Sequence, residues 1–235
     1  MSVNLNEWLP FIKPKFMLVP SPMIEQKIIE AARILCEETH IWMDYLDDID
    51  VTANTSNYTL TLPSSLNSIA EIIAVKTVEY KEDGADEDQF KYLDPLGEVL
   101  TEEQKLSFDS DTSGWKYATG DTPSRYYVSA DCSILSLYPI PEEDSEDGLR
   151  VKVILKPLRT VSALHDKVAK YFETITIGAT ALLYESLPET MGGDELKAIS
   201  RMGKFRNELA MLKVRRLTGG ATFPLTVRLR GDNWL

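Results

Sequence analysis

The fold is decided by residues 164–186, which read LHDKVAKYFETITIGATALLYES. The apolar residues of this stretch recur at three- and four-residue spacing: Leu164, Val168, Tyr171, Phe172, Ile175, Ala179 and Leu182. That spacing predicts an amphipathic helix with one face on a core. The half from Ile175 to Tyr184 carries no charge on any side. We therefore expect it to be buried all round, either in its own core or under another subunit.

Two more helices are predicted, one on each side along the chain. The first covers about residues 22–45 and begins where Ser21 and Pro22 supply an N-cap and a first-turn proline. Ile34 and Ile41 fall outside its main apolar stripe, so they mark either a second contact surface or two stray surface isoleucines. The third helix covers about residues 194–217, and the pair Gly219-Gly220 ends it.

Residues 51–158 alternate like short strands separated by turns, which predicts an antiparallel sheet with one solvated face. The predicted fold class is therefore α+β, with three main helices, an antiparallel β insertion and extended arms at both termini. We expect one domain over residues 1–235, divided into an N-terminal arm (1–20), a helical part (21–50 and 159–217), the β insertion (51–158) and a C-terminal arm (218–235).

The charge of the chain divides along its length. Residues 21–150 hold 28 acidic and 9 basic residues, whereas residues 151–235 hold 8 acidic and 14 basic ones. The net charge of −12 argues against non-specific DNA wrapping, because such binding needs Lys and Arg to displace counterions. Two cysteines give no disulfide framework and favour a reducing compartment. We expect neither a signal peptide nor a membrane span.

No residue cluster predicts catalysis, a cofactor or a metal. Cys36 and His40 are four residues apart, but no further Cys or His lies near them in sequence, so a buried thiol beside a helix-end histidine is favoured. Residues 109–114 begin like a calcium-binding loop, but the twelfth position is Gly120, where a bidentate Glu is needed. The acidic runs at 82–88 and 142–147 are predicted to be solvated turns, and the pair His165-Asp166 lacks the rest of a hydrolase motif.

Both termini are predicted to contact other chains. The first twenty residues are apolar and proline-rich, which favours an arm lying on something else. In the tail, Leu225, Val227 and Leu229 alternate with two arginines, a strand pattern that fits another chain's sheet edge, a groove between subunits, or this protein's own sheet. The predicted interface residues are Ile34, Ile41, Ile177, Tyr184, Leu225, Val227, Arg228, Leu229, Arg230 and Trp234.

The order of parts resembles the head-to-tail adaptor proteins, also called connector or neck proteins, of tailed bacteriophages. The resemblance is carried by packing residues between Ser21 and about Arg216. The matching stretches are 21–25 leading into 31–36 and Trp42, 56–60 before Pro63, 135–139, 155–157, and 177–179 ahead of 182–183.

The resemblance implies a non-enzymatic virion protein that forms a ring, generally a dodecamer, beneath the portal. Its partners would be further copies of itself, the portal protein and tail or nozzle proteins, with DNA only as transient channel content and no membrane. It would assemble in the host cytoplasm and remain in the virion neck. Two alternatives stay open: another tail-completion or tail-tube component, and a metal-dependent nuclease or hydrolase.

Overall fold

The computed structural model describes residues 2–82, 84, 89–96, 119–120 and 122–217. Within these ranges the α-helices are α1 (Leu9–Ile12), α2 (Ser21–Thr39), α3 (Ser64–Asn67), α4 (Asp166–Ala169), α5 (Phe172–Ser186) and α6 (Glu195–Leu217). The strands are β1 (Ser2–Asn4), β2 (Met43–Tyr45), β3 (Ile49–Val51), β4 (Asn57–Thr59), β5 (Ala70–Tyr80), β6 (Lys91–Tyr92), β7 (Asp94–Pro95), β8 (Thr119–Gly120), β9 (Arg125–Val128), β10 (Ile134–Tyr138), β11 (Ile140–Pro141), β12 (Ser145–Pro157) and β13 (Ala163–His165).

The predicted fold class, three helices with an antiparallel β insertion, is wrong. The chain is a mixed α/β protein with a curled five-stranded sheet, several smaller sheets and additional short helices. Strands β1, β2 and β13 lie outside residues 51–158, and the pairs β7·β9 and β8·β11 are parallel. Strands of two or three residues are too short to show a period of two, so the alternation pattern could not locate them.

The main sheet has the order β2-β12-β5-β6, and β3 also pairs with β12. The long pair β12·β5 runs antiparallel from Leu149↔Tyr80 to Pro157↔Ala70. Its register shifts twice, between Lys152 and Val153 and between Ile154 and Leu155. Such irregularities bend a strand and increase its twist, which accounts for the curl of this sheet.

Helix α2 ends earlier than predicted, at Thr39. His40 caps it in the left-handed conformation, with a φ of 51°, and its backbone N–H donates to the Cys36 carbonyl. The chain then becomes extended in β2, while buried Trp42 stacks on His165 with ring centroids 4.9 Å apart. Residues 40–45 are therefore not helical, because the left-handed residue redirects the chain towards the sheet.

Helix α5 begins at Phe172, so the predicted helix over 164–186 is wrong at its start: Leu164 and His165 lie in β13, and α4 is a separate short helix. Helix α5 lies between α2 and α6. Gly178 marks the crossing: a Cβ on this residue would lie 2.8 Å from the Phe205 ring and 3.0 Å from the Ala31 Cβ. Most of the charge-free half of α5 is buried within the chain itself. Of the two environments expected for this half, the protein's own core is the one observed.

The prediction of an extended N-terminal arm is also wrong. Two 3-10 turns, Leu5–Glu7 and Lys13–Lys15, flank α1, so half of this segment is helical. Its buried side chains, Leu5, Trp8, Ile12, Phe16 and Val19, join the main core. Pro10 and Pro14 interrupt the sequence, but they occupy first-turn positions, which tolerate proline. The predicted C-terminal arm, 218–235, lies outside the described residues.

Candidate functional site

The histidines and cysteines have structural environments. Burial raises the pKa of the Cys36 thiol to about 12, so it is a neutral core group. His165 caps α4, where its Nδ1 accepts a hydrogen bond from the Lys167 N–H at 3.2 Å, and its pKa is lowered by burial and then by Lys167. The pKa of His40 is likewise lowered by burial and then by Arg216. A neutral thiol and a histidine used as a cap supply no activated nucleophile.

In the described part of the chain, no group of three or more His, Cys, Asp or Glu side chains could hold a metal ion. The calcium-loop-like residues 109–114 and most of the acidic run 82–88 lie outside that part. Glu82 itself accepts hydrogen bonds from Lys91 and Thr122, at 2.7 and 2.9 Å, and these bonds lower its pKa.

Within the described residues we also find no helix long and apolar enough to cross a membrane.

Carboxylates converge where β3 meets the start of β12. The Asp147 N–H donates to Asp50 Oδ1 at 2.9 Å, and the Ala53 N–H donates to Asp144 Oδ1 at 2.7 Å. Arg150 forms an ion pair with Asp48 at 3.2 Å. We call this surface the acidic rim; its members are Asp47, Asp48, Asp50, Glu142, Glu143, Asp144, Glu146 and Asp147. The bonds fix the turn backbone, while most of these carboxylates face solvent.

A second feature is the solvent-facing side of α6. Four large apolar side chains there are strongly exposed: Leu196 (81%), Ile199 (64%), Met211 (55%) and Val214 (56%). At 100° per residue they share one face with exposed Gly203 and Ala210. We call these six residues the outer stripe. The basic residues at its margins are Lys197, Lys204, Arg206, Lys213 and Arg215.

The outer stripe was missed in the sequence because the opposite face of the same helix has a regular core pattern. Phe205 and Leu209 are buried and Met202 is half-buried, and they account for the expected contact with the rest of the protein. The signal that could have revealed the stripe is the second apolar series, Leu196–Ile199 and Met211–Val214, at helical spacing from each other. A helix with apolar residues on two opposite sides is unusual for a surface helix.

The predicted interface residues are only partly accessible. Ile34, Ile41, Ile177 and Tyr184 are half-buried and pack against the chain's own core. Ile34 lines a groove of about 520 Å³ between α2 and α6. Ile41 lies beyond the end of α2, so the premise that it shares a helix face with Ile34 is wrong. The other six, Leu225, Val227, Arg228, Leu229, Arg230 and Trp234, lie outside the described residues.

Within the monomer, no neighbouring atom prevents a larger side chain at Gly203. A Cβ at this position would meet no atom within 4 Å. We expect Gly203→Ala to raise the free energy of unfolding by about 1 kcal/mol, because glycine is the poorer residue in a helix interior. Chemical denaturation measures this change. Gly178→Ala is the matched control and should destabilise, since its new methyl group meets the Phe205 ring. Loss of stability in Gly203→Ala would show that Gly203 is packed in a way the structure does not contain.

Comparison with known proteins gives no relative: no protein-family model and no curated protein matches this chain.

Proposed function

We propose that this chain is a non-enzymatic adaptor of a tailed-bacteriophage neck, which forms a ring that joins the portal to the tail. The observation that carries the proposal is the outer stripe of α6. Exposed apolar patches with polar margins mark protein–protein contact surfaces. The stripe presents four large apolar side chains to solvent, which favours binding to other proteins.

The resemblance to head-to-tail adaptors supplies the kind of assembly. Its residues occupy structurally demanding positions: the stretch 177–179 contains Gly178 at the crossing of α2, α5 and α6, and 155–157 ends the longest strand where α2 packs. Arg33 of α2 fixes that junction by donating to the Pro157 carbonyl at 2.6 Å and to Glu71 at 2.7 Å. These positions determine how the helices and the sheet are joined, which is what related adaptors would share.

In the proposed ring, each copy contacts neighbouring copies, the portal and a tail or nozzle protein, while DNA passes through the channel. An acidic protein suits such a channel, because carboxylates repel phosphates and would not retain DNA. Assembly in the host cytoplasm and a final position in the virion neck follow from this function. In the proposed ring, the tail, residues 218–235, docks onto the portal.

Truncation after Gly220 tests this docking. The full chain and the truncated chain are compared for thermal stability and for binding to the portal protein of the same virus. We expect an unchanged melting temperature and at least about a 30-fold loss of portal affinity, because a tryptophan at the centre of an interface typically contributes 2 kcal/mol or more and the tail contains Trp234. Trp234→Ala alone should give most of that loss. If the truncated chain unfolds, the tail completes its own sheet and the docking proposal fails.

A further inference from the structure

We infer that the outer stripe of α6 docks on the acidic rim of a second copy of this chain, in a head-to-tail contact. The inference rests on the proposed ring and identifies the two surfaces that would build it. Three observations carry it: the exposure of the stripe, the excess of basic residues at its margins, and the small residues at the centre of the stripe.

The two surfaces belong to different elements of the fold. Strand β12 links them: its Pro157 end is bonded to Arg33 of α2, and its Ser145 end pairs with β3 in the acidic rim. Thirteen residues of extended chain span roughly 40 Å. Helix α6 packs against α2 and α5, on the helical side of the molecule. The stripe therefore lies on the helical side, and the rim lies at the Ser145 end of β12.

Charge favours a contact between unlike surfaces. Helix α6 carries seven basic residues and two acidic ones, Glu195 and Glu208, and five of the basic residues lie at the margins of the stripe, whereas the rim presents eight carboxylates. Pairing two copies of α6 would bring like charges together, which costs free energy. Placing α6 of one copy against the rim of the next brings opposite charges together instead. The acidic part of the sequence, 21–150, thus contributes the rim, and the basic part, 151–235, contributes the margins of the stripe.

Shape and apolar area agree with this arrangement. Gly203 and Ala210 lie in the middle of the stripe, so the backbone of a partner can approach α6 closely there. At the rim end of the sheet, the edge strand β6 carries Tyr92, which is 73% exposed and pairs in register with Glu79. An exposed aromatic side chain at this end of the sheet offers the stripe an apolar contact.

A contact between two different surfaces is heterologous. Each copy then presents one unused stripe and one unused rim, so further copies add until a ring closes. In this arrangement the surface of α6 that faces solvent in the isolated chain becomes a subunit interface.

Complementation between two variants tests the inference. The stripe variant is Leu196→Gln/Ile199→Gln/Met211→Gln, and the rim variant is Glu142→Lys/Glu143→Lys/Glu146→Lys. The mutated side chains are exposed, so circular dichroism should show both variants folded. In sedimentation velocity at equal protein concentration, we expect wild type to form a closed oligomer and each variant alone to remain monomeric. Their equimolar mixture should form a 1:1 heterodimer and nothing larger, because it contains one intact stripe and one intact rim.

Ile134→Gln is the control, since Ile134 is exposed on β10 and belongs to neither surface; it should assemble like wild type. A stripe variant that assembles normally, or a mixture that stays monomeric, overturns the inference. If the stripe variant forms rings, the contact between stripe and rim is wrong, whereas ring formation itself still supports the proposed adaptor. If wild type assembles neither alone nor with portal, the proposed function itself fails.

Discussion

Trp8→Ala is expected to lower the free energy of unfolding by about 3–5 kcal/mol, the range observed when large aromatic side chains are removed from cores. Trp8 is fully buried and stacks on Phe172 with ring centroids 4.9 Å apart and an interplanar angle of 20°. Removing the indole therefore leaves a cavity between the N-terminal segment and α5. Urea denaturation measures the loss.

The control for Trp8→Ala is Met17→Ala, in the same segment. Met17 is 80% exposed, so its truncation should change stability by no more than about 0.5 kcal/mol. Trp8→Phe should lie between them, because it keeps an aromatic ring and removes an indole N–H that is buried without a hydrogen-bond partner. If Trp8→Ala leaves stability unchanged, the first twenty residues are an arm and not part of the core.

Phe205→Ala is expected to have a similar effect, a loss of about 3–5 kcal/mol. Phe205 is fully buried and is the residue through which α6 contacts the crossing at Gly178. Its loss would weaken the packing of α6 on α5, and α6 is the helix that presents the outer stripe. Met211→Ala, on the exposed side of the same helix, should be nearly neutral for stability.

A double-mutant cycle makes the Phe205 prediction specific. Gly178→Ala should destabilise wild type by about 1–3 kcal/mol, because the added methyl group overpacks the crossing. In the Phe205→Ala background the same substitution should cost less, since the space is then open. Additive effects at the two positions would contradict the close packing of α5 on α6.

Periodicity located the long helices because each spans several turns, and a repeat of three to four residues accumulates over that length. Periodicity did not predict the residues at which these helices begin and end. The sequence from His40 to Tyr45 does not indicate that His40 adopts the left-handed conformation. That conformation accompanies the stacking of buried Trp42 on His165, which is distant in sequence. In the N-terminal segment the spacing of Leu5, Trp8, Ile12 and Phe16 is helical, but the prolines concealed it.

The candidate interface was harder to predict than the helices. Burial of one face of α6 follows from its sequence pattern, but exposure of the opposite apolar face depends on where α2 and α5 lie. The convergence of residues 47–50 with 142–147 likewise depends on the register of β3 on β12, a contact between segments nearly a hundred residues apart. The sequence shows that both segments are acidic, but only the pairing of β3 with β12 shows that they form one surface.

The most direct test of the proposed adaptor function is the mass of the purified full-length chain, measured alone and mixed with the portal protein of the same virus. We expect a closed ring bound to the portal, with twelve copies if the resemblance to head-to-tail adaptors extends to subunit number. A chain that stays monomeric both alone and in the presence of portal would contradict it.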